Sequence, residues 1–391
     1  MRFLKTFNNL LVVVLFTVLS VSSVIAAERV STTSSNTQAS DGSWHGDLSS
    51  NGRYLVFQSM ASNLSSPASP IRAACYLKDL QTSQVYRLPH GLNNPNWWTN
   101  CFYPTVSSDG RYVAYVMTEW TPPNYNTYTS SLVMLDRQTN TTEIIATSTI
   151  QEAENRPAIG IPAMSDNGRY LAFATKEGVF GFSDSTYSQI YLWDRFGANS
   201  RVTTSSTGAA GNNNSNDPDI SGDGSYLVYS SRATNIVPAS GGSAGNYYNV
   251  IARATSGGNN FFVSRATALG APNGDNLNPK LKGKDYNNDG ISDLYTVAFS
   301  SAATNIGTTS DSNGQIDIYT NNLVPGSLST RVSFTANGSS LNAAATEPAL
   351  SADGLLVGFL SSASNAGFGV PAGRPQAYII NTLTGELTWA S

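Results

Sequence analysis

The stretch Ser107-Ser-Asp-Gly-Arg-Tyr-Val-Ala-Tyr115 sets an Asp-Gly pair directly before a run of β-branched and aromatic residues. Such a pair supplies the positive φ that a tight hairpin demands, and the run after it suits a pleated, half-buried strand. Counting this one, the arrangement occurs six times, the other turns being Asn51-Gly52, Asn167-Gly168, Asp223-Gly224, Asp289-Gly290 and Asp353-Gly354. From glycine to glycine the steps are 58, 58, 56, 66 and 64 residues, a period that marks a repeat architecture.

Working outward from each turn, a short strand precedes it (47–49, 105–107, 163–165, 219–221, 280–282, 349–351) and a second follows it (54–57, 112–116, 170–173, 226–229, 297–299, 355–359). Third strands are read at 76–79, 132–136, 191–194, 250–253, 316–319 and 377–380, and fourth strands at 85–88, 142–146, 201–203, 261–264, 331–333 and 386–389. Six such units predict an all-β fold: one closed six-bladed β-propeller of four-stranded antiparallel blades over residues 28–391, with only short protected sheet edges. No linker or composition shift divides it. Residues 29–32 also have the form of an outermost strand, and the expectation is that they add an edge strand where the ring closes, beside the strand at 386–389.

The phrases at 107–115 and at Ser221-Gly-Asp-Gly-Ser-Tyr-Leu-Val-Tyr229, with the tails Ala61-Ser-Asn63, Ala233-Thr-Asn235, Ala303-Thr-Asn305 and Ala363-Ser-Asn365, resemble the WD40-like (PD40-like) propeller repeats of the TolB type. The second and third units lack that tail, which leaves the shape of their next loop open. The resemblance implies the fold; the family includes periplasmic adaptors, peptidase-linked propellers and polysaccharide lyases, so activity must be argued from a site.

Composition narrows the setting. With 22 Lys plus Arg against 26 Asp plus Glu, the formal charge is −4 and no polyanion-binding surface is implied, so nucleic acid is not expected as a partner. Only 12% of residues are charged, while 40% are hydrophobic, enough to bury a large core. A basic start at Arg2 and Lys5, an apolar run at 10–25 and the small pair Ala26-Ala27 read as a signal peptide over 1–27. A periplasmic or secreted monomer is therefore expected, with no transmembrane anchor after cleavage. Export favours pairing of the two cysteines, Cys75 and Cys101, as a disulfide; separate buried thiols are the alternative.

In the fifth unit the tight turn is replaced by Asp285-Tyr-Asn287-Asn-Asp289-Gly-Ile291-Ser-Asp293. Oxygen side chains at positions one, three, five and nine, a glycine at six and the Ile291 carbonyl match what calcium takes. The loop resembles the calcium loops of FG-GAP repeats, and a structural calcium is expected there, against the alternative of a solvated Asn/Asp-rich turn. It is not an EF-hand, since Thr296 stands at position twelve.

Propeller geometry puts the loops between blades on one face and the Asp-Gly turns on the other. Trp44 and His45, then His90, Trp97 and Trp98, then Trp120, Tyr125 and Tyr128 fall on the first face, around the first two blades. Exposed rings of this kind suit stacking on sugars or anchoring a protein partner, and rings packed beneath long loops are the third possibility. His45, Tyr103, Ile161, Asp217, Asn278 and Glu347 start the innermost strands and are expected to rim the central channel. Trp44, His45, Trp97, Trp98, Tyr103 and Trp120 are thus the candidate ligand-binding residues, and Asp217 and Glu347 the candidate acid/base pair for glycoside cleavage.

Two histidines in all rule out a three-His metal centre, and no His-Glu-x-x-His, Cys-x-x-Cys or Gly-x-Ser-x-Gly occurs. The leading expectation is a binding or scaffold module that recognises a protein or glycan. A polysaccharide-active hydrolase or lyase and a calcium-stabilised cell-surface protein are the alternatives.

Overall fold

A serine two residues ahead of the turn Asp or Asn organises five of the six hairpins. The hydroxyls of Ser49, Ser107, Ser165, Ser221 and Ser351 donate to Asn51, Asp109, Asn167, Asp223 and Asp353 and accept the backbone N–H five residues on. The glycine that follows takes φ between 65° and 74°, open to a residue without a Cβ. The computed structural model describes residues 29–65, 73–89, 99–120, 127–150, 152, 157–238, 245–267, 270–287, 289–308, 311–368 and 373–390; the signal-peptide stretch 1–27 lies outside them.

Twenty-four strands form six four-stranded antiparallel sheets, each in sequential order. The innermost strands are Ser43–Leu48, Thr99–Val106, Ala163–Met164, Ser215–Ile220, Asn276–Lys284 and Ala345–Leu350, and the outermost are Val85–Arg87, Thr141–Ser148, Ser200–Arg201, Phe261–Phe262, Thr330–Arg331 and Leu387–Trp389. Among the described residues there are no helices, so none is long and apolar enough to cross a membrane. Second and third strands carry the core: Phe57–Tyr76, Phe173–Tyr191, Phe299–Tyr319 and Phe359–Tyr378 are cross-strand stacked pairs with centroids 5.7 to 6.0 Å apart.

The Ala-Ser/Thr-Asn tail acts as a staple. The side chains of Asn63, Asn235, Asn305 and Asn365 donate to the carbonyls of Gln38, Ala210, Ala271 and Ser340 and accept the N–H of Ser40, Asn212, Asn273 and Asn342. Each staple fastens the segment entering a blade to the end of that blade's second strand. In blade 3, which lacks the motif, Glu177 accepts the Thr149 N–H and Lys176 pairs with Glu152, so charged side chains fasten the entering segment instead.

The innermost strands begin earlier than the sequence predicts, at residue 43 rather than 47 in blade 1, because a bulge interrupts their pairing. Register shifts fall between Trp44 and Asp47, Phe102 and Thr105, Asn216 and Asp219, Leu277 and Lys280, and Thr346 and Ala349. The bulged residues His45, Tyr103, Asp217, Asn278 and Glu347 all sit at φ of 51° to 53°. In blade 3 the position is Ile161, and a β-branched residue resists that region. There the inner strand is only two residues long, supplemented by an isolated bridge from Ile159 to Thr175.

Segment 29–32 is not an edge strand of the last blade, which corrects the expectation. Blade 6 already owns its fourth strand, Leu387–Trp389. The N-terminal segment instead forms an isolated bridge, Thr32 to Gln38, repeated by Thr204 to Ala210 and Phe334 to Ser340 in the connectors that enter blades 4 and 6. The Lys78 ammonium donates to the Val30 carbonyl, as Arg253 does to that of Val202. Residues 29–40 thus play the part of a connector into blade 1.

Shared apolar clusters fill five seams between neighbouring blades. The sixth differs. The cluster on the outer side of blade 1, around Phe57, Ala61, Leu64 and Tyr76, includes no residue of blade 6. On the facing side of blade 6, Leu356, Leu360 and Ile379 are 40%, 38% and 36% exposed, whereas their counterparts in blade 3, Ala174 and Leu192, are buried. Gly110, Gly168 and Gly224 press on tyrosines of the preceding blade, but Gly52 meets nothing within 4 Å. Among the described residues, the seam between the last and first blades has no shared apolar cluster like those of the other five seams.

Candidate functional site

Three of the five bulged residues, His45, Tyr103 and Glu347, line the central channel. A non-glycine residue in the left-handed region carries strain of order 1–3 kcal/mol, and such strain concentrates where a side chain must be aimed. Here it recurs at one structural position in five blades. The channel forms a cavity of about 410 Å³ lined by His45, Tyr103, Ile161 and Glu347 near its mouth and by Asp47, Asp219, Lys280 and Lys282 deeper in. At the turn end it narrows: Ser50 of blade 1 donates to the Asp166 carboxylate of blade 3, while the Asp166 backbone bonds Ser108 of blade 2 and Gly222 of blade 4.

The wall is also the ring's clasp. Asp47 accepts the Thr105 hydroxyl at 2.7 Å and the Val106 N–H at 3.1 Å, tying blade 1 to blade 2. Asp219 accepts the Leu281 N–H at 2.7 Å, tying blade 4 to blade 5. Burial pushes the Asp47 carboxyl above the ordinary carboxylate range, against the two hydrogen bonds. Asp217 is raised in the same way, with Lys280 opposing the shift and Glu347 adding to it. Burial holds the His45 imidazole below its ordinary value, and Glu347 pulls it back up. The channel therefore combines His45 and Asp47, whose charged forms burial disfavours, with Glu347 at the mouth and Lys280 and Lys282 deeper in.

Of the candidate binding residues, His45 and Tyr103 meet edge to face at 4.9 Å, and Trp44 stands next to them, 38% exposed. Trp120 is half-buried and packs on Tyr128 at 5.1 Å, away from the channel lining. Trp97, Trp98, His90 and Tyr125 lie outside the described residues. Glu347 and Ile161 line the mouth, whereas Asp217 and Asn278 share the bulge geometry without lining the cavity. Sequence reading missed Asp47, Asp219, Lys280 and Lys282; their signal is the residue two or four places after each bulge, invisible until the bulge is known.

Cys75 and Cys101 are joined, their Cα atoms 5.5 Å apart, so the disulfide crosses from the third strand of blade 1 to the first of blade 2. In the fifth-blade loop, Asp285 accepts the N–H of Asn287 and Gly290, Asn287 that of Asp289, Asp289 that of Ile291, and Asp293 that of Tyr286. The loop is exposed, and Asn288 lies outside the described residues. Among the described residues no three His, Cys, Asp or Glu side chains converge as a metal group; a cation here would need the Asn287 amide and the Ile291 carbonyl beside the carboxylates.

No family model matches the sequence. No curated protein matches it either. Similar solved structures include the Pyrococcus horikoshii acylaminoacyl peptidase at 11% identity and TM-score 0.46, with 87% of this chain and 44% of that one covered. A Mycobacterium tuberculosis puromycin-hydrolyzing peptidase is similar at 14% identity and TM-score 0.47, covering 86% and 45%. The periplasmic gluconolactonase of Pseudomonas aeruginosa is similar at 13% identity and TM-score 0.39, covering 88% and 84%. The chain spans less than half the length of the two peptidases.

Proposed function

We propose that the chain is an exported propeller of the TolB-like kind that acts as a binding module, taking a protein or glycan partner at the channel mouth and the aromatic residues beside it. One observation supports this reading: five blades hold a non-glycine residue at positive φ at one bulge, and three of these residues, His45, Tyr103 and Glu347, line the channel. The edge-on pair of His45 and Tyr103 with exposed Trp44 offers flat apolar surface, and Lys280, Lys282 and Glu347 offer hydrogen bonds around it. Trp97, Trp98 and Trp120 belong to the proposed face by sequence. Screening labelled envelope proteins and a glycan panel tests the reading, with Trp44→Ala/Tyr103→Phe expected to abolish capture while the fold persists. Undiminished capture by that variant would reject the site.

A second reading is favoured by Asp217, whose carboxyl burial pushes up and whose shift the Glu347 charge increases. Glycoside cleavage uses a pair of carboxyls. Turnover of a glycan that disappears in Asp217→Asn and Glu347→Gln would establish it over simple binding. The fifth-blade loop is proposed to take calcium as a structural brace, apart from either activity.

A further inference from the structure

On the turn face, opposite the channel mouth, the first strand-two residue of four consecutive blades is a tyrosine: Tyr54, Tyr112, Tyr170 and Tyr226. Three of these rings are covered by a side chain of the next blade. Arg137 of blade 2 lies over Tyr54 at 5.2 Å and donates to the Gly110 carbonyl at 2.6 Å. Arg195 of blade 3 lies over Tyr112 at 3.6 Å. Tyr295 of blade 5 meets Tyr226 edge-on at 4.9 Å.

At Tyr170 the residue in the arginine position is Thr255. Its hydroxyl takes over the bond to the glycine carbonyl, here Gly224, but it is too short to reach across the ring. The space stays open as a cavity of about 360 Å³ between Tyr170 and Tyr226, with Asn167, Arg169, Asp223 and Thr255 on its walls. Where Arg137 is present, the corresponding hollow of about 320 Å³ is lined by blade 2 residues alone and no longer reaches Tyr54.

We propose that this cavity is a receptor for the guanidinium of an arginine side chain on a partner polypeptide, seated over Tyr170 as Arg137 and Arg195 sit over Tyr54 and Tyr112. The planar, weakly hydrated guanidinium stacks on aromatic faces better than an ammonium does. Arg169 already touches the Tyr170 ring at 4.6 Å, yet Arg53 and Arg111 touch theirs in the same way, at 4.9 and 4.7 Å, without excluding the second arginine. Each is drawn aside by a carboxylate: Asp194 for Arg169, Asp79 for Arg53 and Asp136 for Arg111. Asp223, held ionised at about 2 by bonds from Ser221, Ser225, Ser292 and Tyr295 that outweigh its burial, supplies the negative field on the remaining wall.

The test is a titration with Nα-acetyl-arginine methylamide, its lysine counterpart and free L-arginine, read from the ring signals of labelled Tyr170. Saturable shifts with the capped arginine, about tenfold weaker for lysine, are expected, and Thr255→Arg should abolish them by filling the site from within. Thr255→Ser should bind as the native chain does, which separates occupancy from damage, and Thr255→Arg should also raise the Tm. Absence of a saturable shift, or unchanged binding in Thr255→Arg, would overturn the site. Preference for free L-arginine over the capped form would overturn a polypeptide as its source. Glu347→Gln at the channel should leave the titration untouched, so this site and the channel reading stand or fall separately.

Discussion

The His45 imidazole of blade 1 meets the Tyr103 ring of blade 2 at 88°, with centroids 4.9 Å apart, and both residues occupy the same bulge of their strands. Two positions below the bulge in blade 1, Asp47 clasps the same pair of blades. The channel lining and the cohesion of the ring therefore meet two residues apart on one strand.

Truncating the clasp should destabilise the fold. Asp47→Ala leaves the Val106 N–H and the Thr105 hydroxyl without an acceptor, a loss of about 1–3 kcal/mol. Asp47→Asn keeps an acceptor and removes a carboxyl whose ionisation burial opposes, so it should be nearly neutral at pH 7. Chemical denaturation of both variants checks this; equal losses would mean that charge, not the hydrogen bonds, holds the blades.

Acid should weaken the turn face of blades 1 and 2. Hydrogen bonds from Arg53 and Arg111 hold Asp79 and Asp136 at about 2, below their unfolded value. Their contribution is full above about pH 4 and is lost as pH falls from about 4 to 2. The arginines are well exposed, which keeps it small. Melting followed against pH should flatten in that window for Asp79→Asn/Asp136→Asn, and an unchanged slope would mean other groups set the acid limb.

Removing the disulfide should cost more. The bond closes a loop with a sequence separation of 26, worth about 3–4 kcal/mol of unfolded-state entropy. Cys75→Ala/Cys101→Ala should lower the denaturation midpoint accordingly. A midpoint within error of the native one would mean that the buried packing of blades 1 and 2 suffices.

Calcium should raise the melting temperature if the fifth-blade loop is a cation site, with chelation reversing the gain and Asp289→Ala removing the response. The loop carries the carboxylates of Asp285, Asp289 and Asp293, the Asn287 amide and the Ile291 carbonyl, the hard oxygen donors that calcium takes. A melting curve indifferent to millimolar calcium would leave Asp285 to Asp293 as a self-satisfied turn.

The blade count was legible because Asp-Gly and Asn-Gly turns are local signals, and the strands after them are short runs rich in β-branched and aromatic residues. The disulfide followed from blade order. The inner-strand starts were not legible, since a bulge at His45 or Glu347 shows only in the register with the second strand. Nor was the role of residues 29–32: their likeness to an edge strand is genuine, but the place was already taken by Leu387–Trp389. Among the candidate ligand residues, Trp120 packs on Tyr128, a contact that the sequence does not reveal.

Among the described residues, the seam between blades 6 and 1 lacks the shared apolar cluster of the others, like the cut in a split washer. His45 belongs to one side of it and Glu347 to the other, so a guest that gripped both would pull the two sides together. Tightness of grip and tension in the hoop are then one equilibrium, and a change that glues the two sides would retune affinity without touching the guest.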